Sequence, residues 1–236
     1  MQQSLRVDKI RAEGELLLDV AGANLGREVP TCPGWVNADL VVHVHQVWNM
    51  LAHLVEHQPG GFPGKEARVA KPSPGAEVVE AKVALDRLET ALRSVNPQTA
   101  MWSFGSTQAG SFFLRRAHQE TMVHRTDAEA AAGIESQLDG DDAADGIEEQ
   151  FSEFVALAEQ SPAGSFHVHR TDGDGEWTLR TGDSGIEISR NHQKGDAALR
   201  GSGADLLLLL WGRRPLDDFE LFGDREVAEQ WLSLTR

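Results

Sequence analysis

The sequence predicts an all-helical domain followed by a small α+β domain, and three observations carry that reading. Up to about residue 160 the apolar residues recur at helical spacing. From "SPAG" (161–164) onward they alternate in short segments divided by Gly and Asp turns. The chain then closes with an apolar helix, a short strand and an amphipathic helix. The change of period marks a boundary near residue 160, which gives domains of 1–160 and 161–236.

In order along the chain, residues 4–25 read as an amphipathic helix whose stripe would be Leu5, Ile10, Leu16, Leu17, Val20 and Leu25. "VPTCPGW" (29–35) breaks it with Pro30 and Pro33. A second helix starts near Asn37 or Ala38 and runs to about His57. "QPGGFPGKEARVAKPSPG" is a loop by composition. "AEVVEAKVALDRLETALRSV" (76–95) is a third helix, and "NPQTAMWSFGSTQAG" connects it to a fourth over about 111–132. Acidic capping residues then lead into a helix from about Asp142 to Glu159. Beyond the boundary, "SFHVHRT", "EWTLRT", "GIEISRN" and "DAALRGS" read as strands, "GADLLLLLWGR" as a helix, "FELFG" as a short strand and "DREVAEQWLSL" as the last helix. No internal repeat is visible.

Bulk properties narrow the function classes. With 40% hydrophobic and 25% charged residues, the composition is that of a soluble globular protein. The longest apolar run, Leu206 to Trp211, is far too short to span a bilayer. The N-terminal segment is charged and helix-patterned, without a signal-peptide pattern, so a cytoplasmic location is expected. A formal charge of −15 argues against nucleic-acid partners, which bind through clustered Lys and Arg. A small anion in a locally basic pocket stays open. The single cysteine, Cys32, allows no intrachain disulfide.

The chemistry concentrates in "HQETMVHRTDAE" (118–129). Glu120 and His124 are four apart on a helix and lie on one face, where they could share a ligand atom. The spacing is not that of the HExxH metalloproteases, and His118, six residues before His124, points well round the helix. A Glu–His pair four apart is also a common surface partnership, and from the pair alone that is the better reading. A third ligand would come from the second helix, which offers His43, His45, His53 and His57. His43 sits among Leu40, Val47, Met50, Leu51 and Leu54, the expected inward stripe, and His45 points elsewhere. A lone histidine on an apolar face is more often a core residue than a ligand. Opposite an inward Glu120 and His124, however, His43 would complete two imidazoles and a carboxylate, a set that suits Zn²⁺ and leaves a coordination position open.

"VPTCPGWVNADLVVHVHQVW" together with "RRAHQETMVHRTDAE" resembles the N-terminal domain of the mycothiol-dependent maleylpyruvate isomerase family, a DinB-like metal-binding four-helix bundle. The tail "GADLLLLLWGRRPLDDFELFGDREVAEQWL" is similar to the same family's C-terminal domain. The resemblance covers nearly the whole chain in the right order. It implies a divalent metal, usually zinc, on His43, Glu120 and His124, and this reverses the preference for a surface pair. It also implies mycothiol or a similar low-molecular-weight thiol as cosubstrate and a small electrophilic substrate, anionic ones included. The implied reaction is isomerisation or S-transfer, with the thiolate attacking an electrophilic carbon and then leaving or staying attached. The competing reading is a non-catalytic metal-binding or regulatory protein of the same fold.

Other features have weaker claims. Cys32 precedes a helix, where a thiol pKa would fall. The resemblance places it outside the metal triad, so it is read as a packing residue. Trp35 and Trp48 are expected to pack in the bundle, and Arg125, Asp127 and Glu129 to form a charge network at the helix end. Arg213 and Arg214 close an apolar helix and would favour its negative end. The resemblance instead aligns Arg213 with an arginine that assists catalysis, where a guanidinium could bind a carboxylate. Both readings of Arg213 stand. "TDGDGEW" lacks the distal Glu of a calcium loop and reads as a hairpin turn.

Overall fold

The computed structural model describes residues 1–67 and 69–235, so that Arg68, within the expected loop after the second helix, lies outside the described residues. The chain divides into two compact units, Met1–Ser136 and Gln137–Arg236. Among the described residues no helix is long and apolar enough to cross a membrane.

The first unit is a bundle of α1 (Gln3–Gly22), α2 (Asn37–His57), α3 (Glu77–Ser94) and α4 (Gly110–Ala132). Helix α1 packs mainly on α4 and α3, and α2 on α3 and α4. The buried face of α1 is Val7, Ile10, Gly14, Leu17, Leu18 and Ala21, which corrects the stripe expected from sequence. Leu5 and Leu16 are 51% and 44% exposed. At 3.6 residues per turn they lie on the side opposite Gly14. Gly14 permits a close helix pair, since a Cβ there would come within 2.7 Å of Leu85 on α3.

Helix α2 begins where the Asp39 carboxylate accepts a hydrogen bond from the Val36 N–H at 3.0 Å. It ends at Gln58 in the left-handed region, φ 45°. Leu40, Val41, Val44, Trp48, Leu51, Leu54 and Val55 face the core, whereas Val47, Met50 and His43 sit half-buried beside that stripe. His45, expected to point away, is 5% exposed, and burial lowers its pKa. Trp48 is fully buried, and its indole N–H donates to Thr121 Oγ1 on α4 at 3.0 Å.

The second unit opens with α5 (Gly140–Glu149), capped by Asp139, whose side chain accepts from the N–H groups of Asp141 and Asp142. The helix expected to run to Glu159 changes character at Gln150, passing through a π turn and a 3₁₀ turn that ends at Leu157. Five strands follow: β1 (Ser165–Arg170), β2 (Glu176–Gly182), β3 (Gly185–Ser189), β4 (Ala197–Gly201) and β5 (Glu220–Gly223). Their order in the mixed sheet is β3-β2-β1-β4-β5, with β1 and β4 parallel and the other neighbours antiparallel.

Helices α6 (Gly203–Leu210) and α7 (Arg225–Ser233) pack on β1 and β4. Ser202 and Asp224 cap their N-termini. The register places Phe166 and Val168 of β1, Leu179 and Trp177 of β2, and Ala197 and Leu199 of β4 on one buried face. Period-two alternation then sends His167, His169, Glu176 and Thr178 to the other face. "TDGDG" is the turn between β1 and β2; Arg170 braces it by donating to Asp172 at 2.7 Å and to Asp141 at 2.8 Å.

Candidate metal centre

Helix α4 carries the centre, and its start is tightly fixed. The Gly110 N–H donates to the Thr99 carbonyl at 3.0 Å, and a Cβ at Gly110 would lie 2.5 Å from the Asn96 carbonyl oxygen. Ten and fourteen residues on, Glu120 and His124 present side chains to the same point. His124 Nε2 lies 3.1 Å from Glu120 Oε1, and His43 Nε2 of α2 lies 3.2 Å from the same oxygen. The two imidazole rings meet edge to face, centroids 4.6 Å apart, and the Trp35 ring lies tilted beside His43, centroids 5.2 Å apart.

The three residues each offer one ligand atom, all within 4.8 Å of one another. Among the described residues this group has three members, and His118, His45, His53 and His57 are not in it. His118 is fully buried elsewhere on α4, and His53 stacks on His57 at 4.1 Å near the end of α2.

Two acidic–basic contacts surround the three. His124 Nδ1 donates to Asp127 Oδ2 at 2.8 Å, and Asp127 Oδ1 accepts from Thr31 Oγ1 at 2.6 Å. Thr31 stands in the tight loop between α1 and α2, which the Glu28–Val36 bridge closes and Gly34 turns with φ 84°. On the opposite side of the carboxylate, Arg116 Nη2 donates to Glu120 Oε2 at 2.9 Å. The expected helix-end network is therefore divided. Asp127 serves His124, while Arg125 pairs with Glu13 of α1 and with Glu129.

Electrostatics follow from these contacts. Burial alone would favour a protonated Glu120, but Arg116 and the hydrogen bonds from His124 and His43 hold its carboxyl well below the ordinary range. Burial would likewise keep His124 neutral. The hydrogen bonds to Asp127 and Glu120 outweigh it and raise its pKa to about 8. Both carboxylates only accept, so in the metal-free protein an imidazolium donating from both nitrogens fits this position.

The donor set fits a divalent cation of the zinc class. Glu120 Oε1 and the Nε2 atoms of His43 and His124 face one another. Asp127 meanwhile fixes the tautomer that leaves His124 Nε2 available, the carboxylate–histidine arrangement that accompanies metal-bound imidazoles.

Arg116 and Thr31 are additions to the expected site. The Arg-x-x-x-Glu spacing of Arg116 and Glu120 was a readable signal; the approach of Thr31 from a distant loop was not. Arg213 lies in the second unit just after α6. Its guanidinium donates to the Trp211 carbonyl at 2.8 Å and lies 5.7 Å over the Trp211 ring. Arg214 pairs with Asp205 and Asp218. Cys32 is half-buried in the Val29–Trp35 loop, where its N–H donates to the Val29 carbonyl at 3.0 Å.

A helical bundle with an inward His–Glu–His group, followed by an α+β unit with a five-stranded mixed sheet, defines the class of protein. Residues 8–129 match the mycothiol maleylpyruvate isomerase N-terminal domain and residues 141–230 match the MDMPI C-terminal domain. The chain belongs to the mycothiol maleylpyruvate isomerase family.

Among solved structures it resembles the mycothiol-dependent maleylpyruvate isomerase, with 14% identity and a TM-score of 0.63 over 91% of this chain and 90% of that one. A histidine-to-alanine mutant of that isomerase matches with 15% identity and a TM-score of 0.65, over 94% and 93% of the two chains. At this identity the likeness is one of fold. Comparison with curated proteins returns no match.

Proposed function

We propose that the protein is a metal- and thiol-dependent enzyme that isomerises a small electrophilic substrate or transfers a low-molecular-weight thiol, mycothiol or a relative of it, to that substrate. One observation carries the reading. His43, Glu120 and His124 form a three-member donor group, half-exposed on the His43 side, and three protein ligands leave a coordination position for a reacting molecule. A divalent ion held by His43, Glu120 and His124, zinc by the donor chemistry, would supply Lewis acidity and lower the pKa of a thiol that met it.

The chain's own residues do the rest. Glu120 contributes negative charge that Arg116 keeps deprotonated. Asp127 holds His124 with Nε2 directed at Glu120, and Thr31 holds Asp127. Arg213 binds the anionic group of the substrate or of the thiol, a role drawn from the family resemblance and suited to a half-buried guanidinium. The thiolate would add to one carbon of an activated C=C bond, whose π electrons move to the conjugated carbonyl oxygen as an enolate. After rotation about the new single bond, collapse of the enolate re-forms the double bond and expels the thiolate, which is isomerisation. Return of the thiol's proton to the enolate instead leaves the sulfur attached, which is S-transfer.

The test combines metal analysis with turnover. Purified wild type is compared with His43→Ala and Glu120→Ala/His124→Ala for ion content by elemental analysis. The same proteins are assayed with mycothiol and maleylpyruvate, and with mycothiol and a panel of electrophiles. Loss of one ion and of thiol-dependent turnover in both variants is expected. Full metal content in the variants would sink the ligand assignment. A metal-loaded wild type that consumes no thiol and isomerises nothing would leave the non-catalytic metal-binding reading in its place.

A further inference from the structure

We propose a second metal site, in the α+β unit, formed by His167, His169, Glu176 and His192. It would take a divalent first-row ion of the zinc class, with four protein ligands and no open position. The four side chains each offer a ligand atom, and these atoms all lie within 4.8 Å of one another.

Strand geometry brings three of them together. His167 and His169 are two apart on β1 and share the polar face of the sheet. Antiparallel register sets Glu176 of β2 directly opposite His169, and Thr178 directly opposite His167. The fourth, His192, comes from the loop between β3 and β4. Its Nδ1 lies 3.1 Å from Glu176 Oε2, while His169 Nδ1 lies 2.8 Å from Glu176 Oε1. The three imidazole centroids are 5.5 to 6.4 Å apart, around a single carboxylate.

His167 supplies an independent pointer. It is 5% exposed, and its Nδ1 is taken by Thr178 Oγ1 at 2.9 Å. Its Nε2 is buried with no hydrogen-bond partner, an arrangement that costs free energy unless something binds there. The Thr178 contact plays the part that Asp127 plays for His124, fixing the ring and leaving one nitrogen for a ligand. Gly195 lets the loop backbone lie against this histidine, since a Cβ at Gly195 would fall 3.1 Å from the His167 Cβ.

Three neutral imidazoles and one carboxylate are a tetrahedral zinc donor set. Bonds of that type put ligand atoms about 3.3 Å apart, so the group must draw in. His192 can move to achieve this, since its side chain is 78% exposed. The ion would fasten the β3–β4 loop to β1 and β2. With every ligand supplied by protein, the site is structural and not reactive.

Chelator-treated full-length protein would be titrated with Co²⁺, followed by visible absorption, and zinc content measured after reconstitution and desalting. The proposal expects about two ions on wild type and about one on His43→Ala/Glu120→Ala, with that last ion lost when His169→Ala and His192→Ala are added. His192→Ala alone removes an exposed side chain and leaves the core intact, so it keeps the test decisive if a multiple variant fails to fold. It should abolish or weaken binding of one ion and change the tetrahedral Co²⁺ band. A wild type whose ion uptake and Co²⁺ spectrum are untouched by His192→Ala overturns the proposal. If wild type binds one ion that His192→Ala removes and His43→Ala spares, this site stands and the bundle site falls.

Discussion

Asp127 accepts a hydrogen bond from His124 Nδ1 at 2.8 Å, and that contact decides which ring nitrogen faces Glu120. Without it the imidazole could present either nitrogen, or turn away. Thr31, donating to the other oxygen of Asp127 at 2.6 Å, leaves the carboxylate little freedom to rotate. The orientation of His124, one of the three proposed ligands, is thus set by a loop that follows α1.

Asp127→Asn keeps the shape but weakens the charge-assisted bond and can present an amide N–H to the ring. Metal affinity at the bundle site should fall by about 10- to 100-fold, the usual effect of losing such a supporting partner. Competition against a chromophoric chelator, on protein whose circular dichroism matches wild type, measures it. Unchanged affinity would mean that packing alone orients His124.

The His124 pKa of about 8 makes the bundle site pH-sensitive. A folded pKa above the ordinary 6.5 means that the bound proton stabilises the metal-free fold below pH 6.5 and that this stability is lost as pH rises through about 8. The loss is on the order of 2 kcal/mol. Metal uptake at the proposed site would have the opposite dependence, because the ion would displace that proton; apparent affinity should rise about tenfold per pH unit below 8 and level off above it. Urea unfolding of chelated protein and metal titrations across pH 6 to 9 check the two slopes. A flat titration curve would place the proton elsewhere.

Much of this was legible because it is local. Helical period, proline and glycine punctuation, and the strand alternation located the elements, and the family motifs pointed to His43, Glu120 and His124. The buried stripe of α1 departs from the expected one because position along the helix, and not leucine content, decides which side is covered. Val7, Gly14 and Ala21 keep the true spacing, and small residues signal a close helix contact as well as large ones signal a core. The partner of Asp127 was unreadable for a different reason. At three residues from His124 and two from Arg125 it had two plausible local partners, and a threonine 96 residues away in sequence joins it in the folded protein. "SFHVHRT" was expected only as a strand, without notice of His167 and His169; period two puts them on one face, and the pairing register adds Glu176.

Gly110 is where α4 leaves the preceding connection. Gly110→Ala puts a methyl 2.5 Å from a backbone oxygen, which cannot swing aside as a side chain would. The helix start must shift, at a cost of about 1–3 kcal/mol despite the better helix propensity of alanine. Denaturant unfolding should show this loss. Metal affinity should fall too, since Glu120 and His124 ride on the same helix. Wild-type stability would show that the Asn96 turn yields freely.

The last expectation concerns the bond that ties α2 to α4 in the core. Trp48 donates its indole N–H to Thr121 Oγ1, with both residues fully buried. Thr121→Val keeps the volume and branching but removes the acceptor, leaving the N–H unpaired. The cost should be about 1–3 kcal/mol. Adding Trp48→Phe removes the orphaned donor but also shrinks a fully buried ring, so the double variant need not be more stable than the single. The coupling between the two changes isolates the hydrogen bond: Trp48→Phe should cost less in the Thr121→Val background than in wild type. A complete double-mutant cycle by urea unfolding gives that coupling energy. Strict additivity would show that the bond contributes nothing to holding α2 against α4.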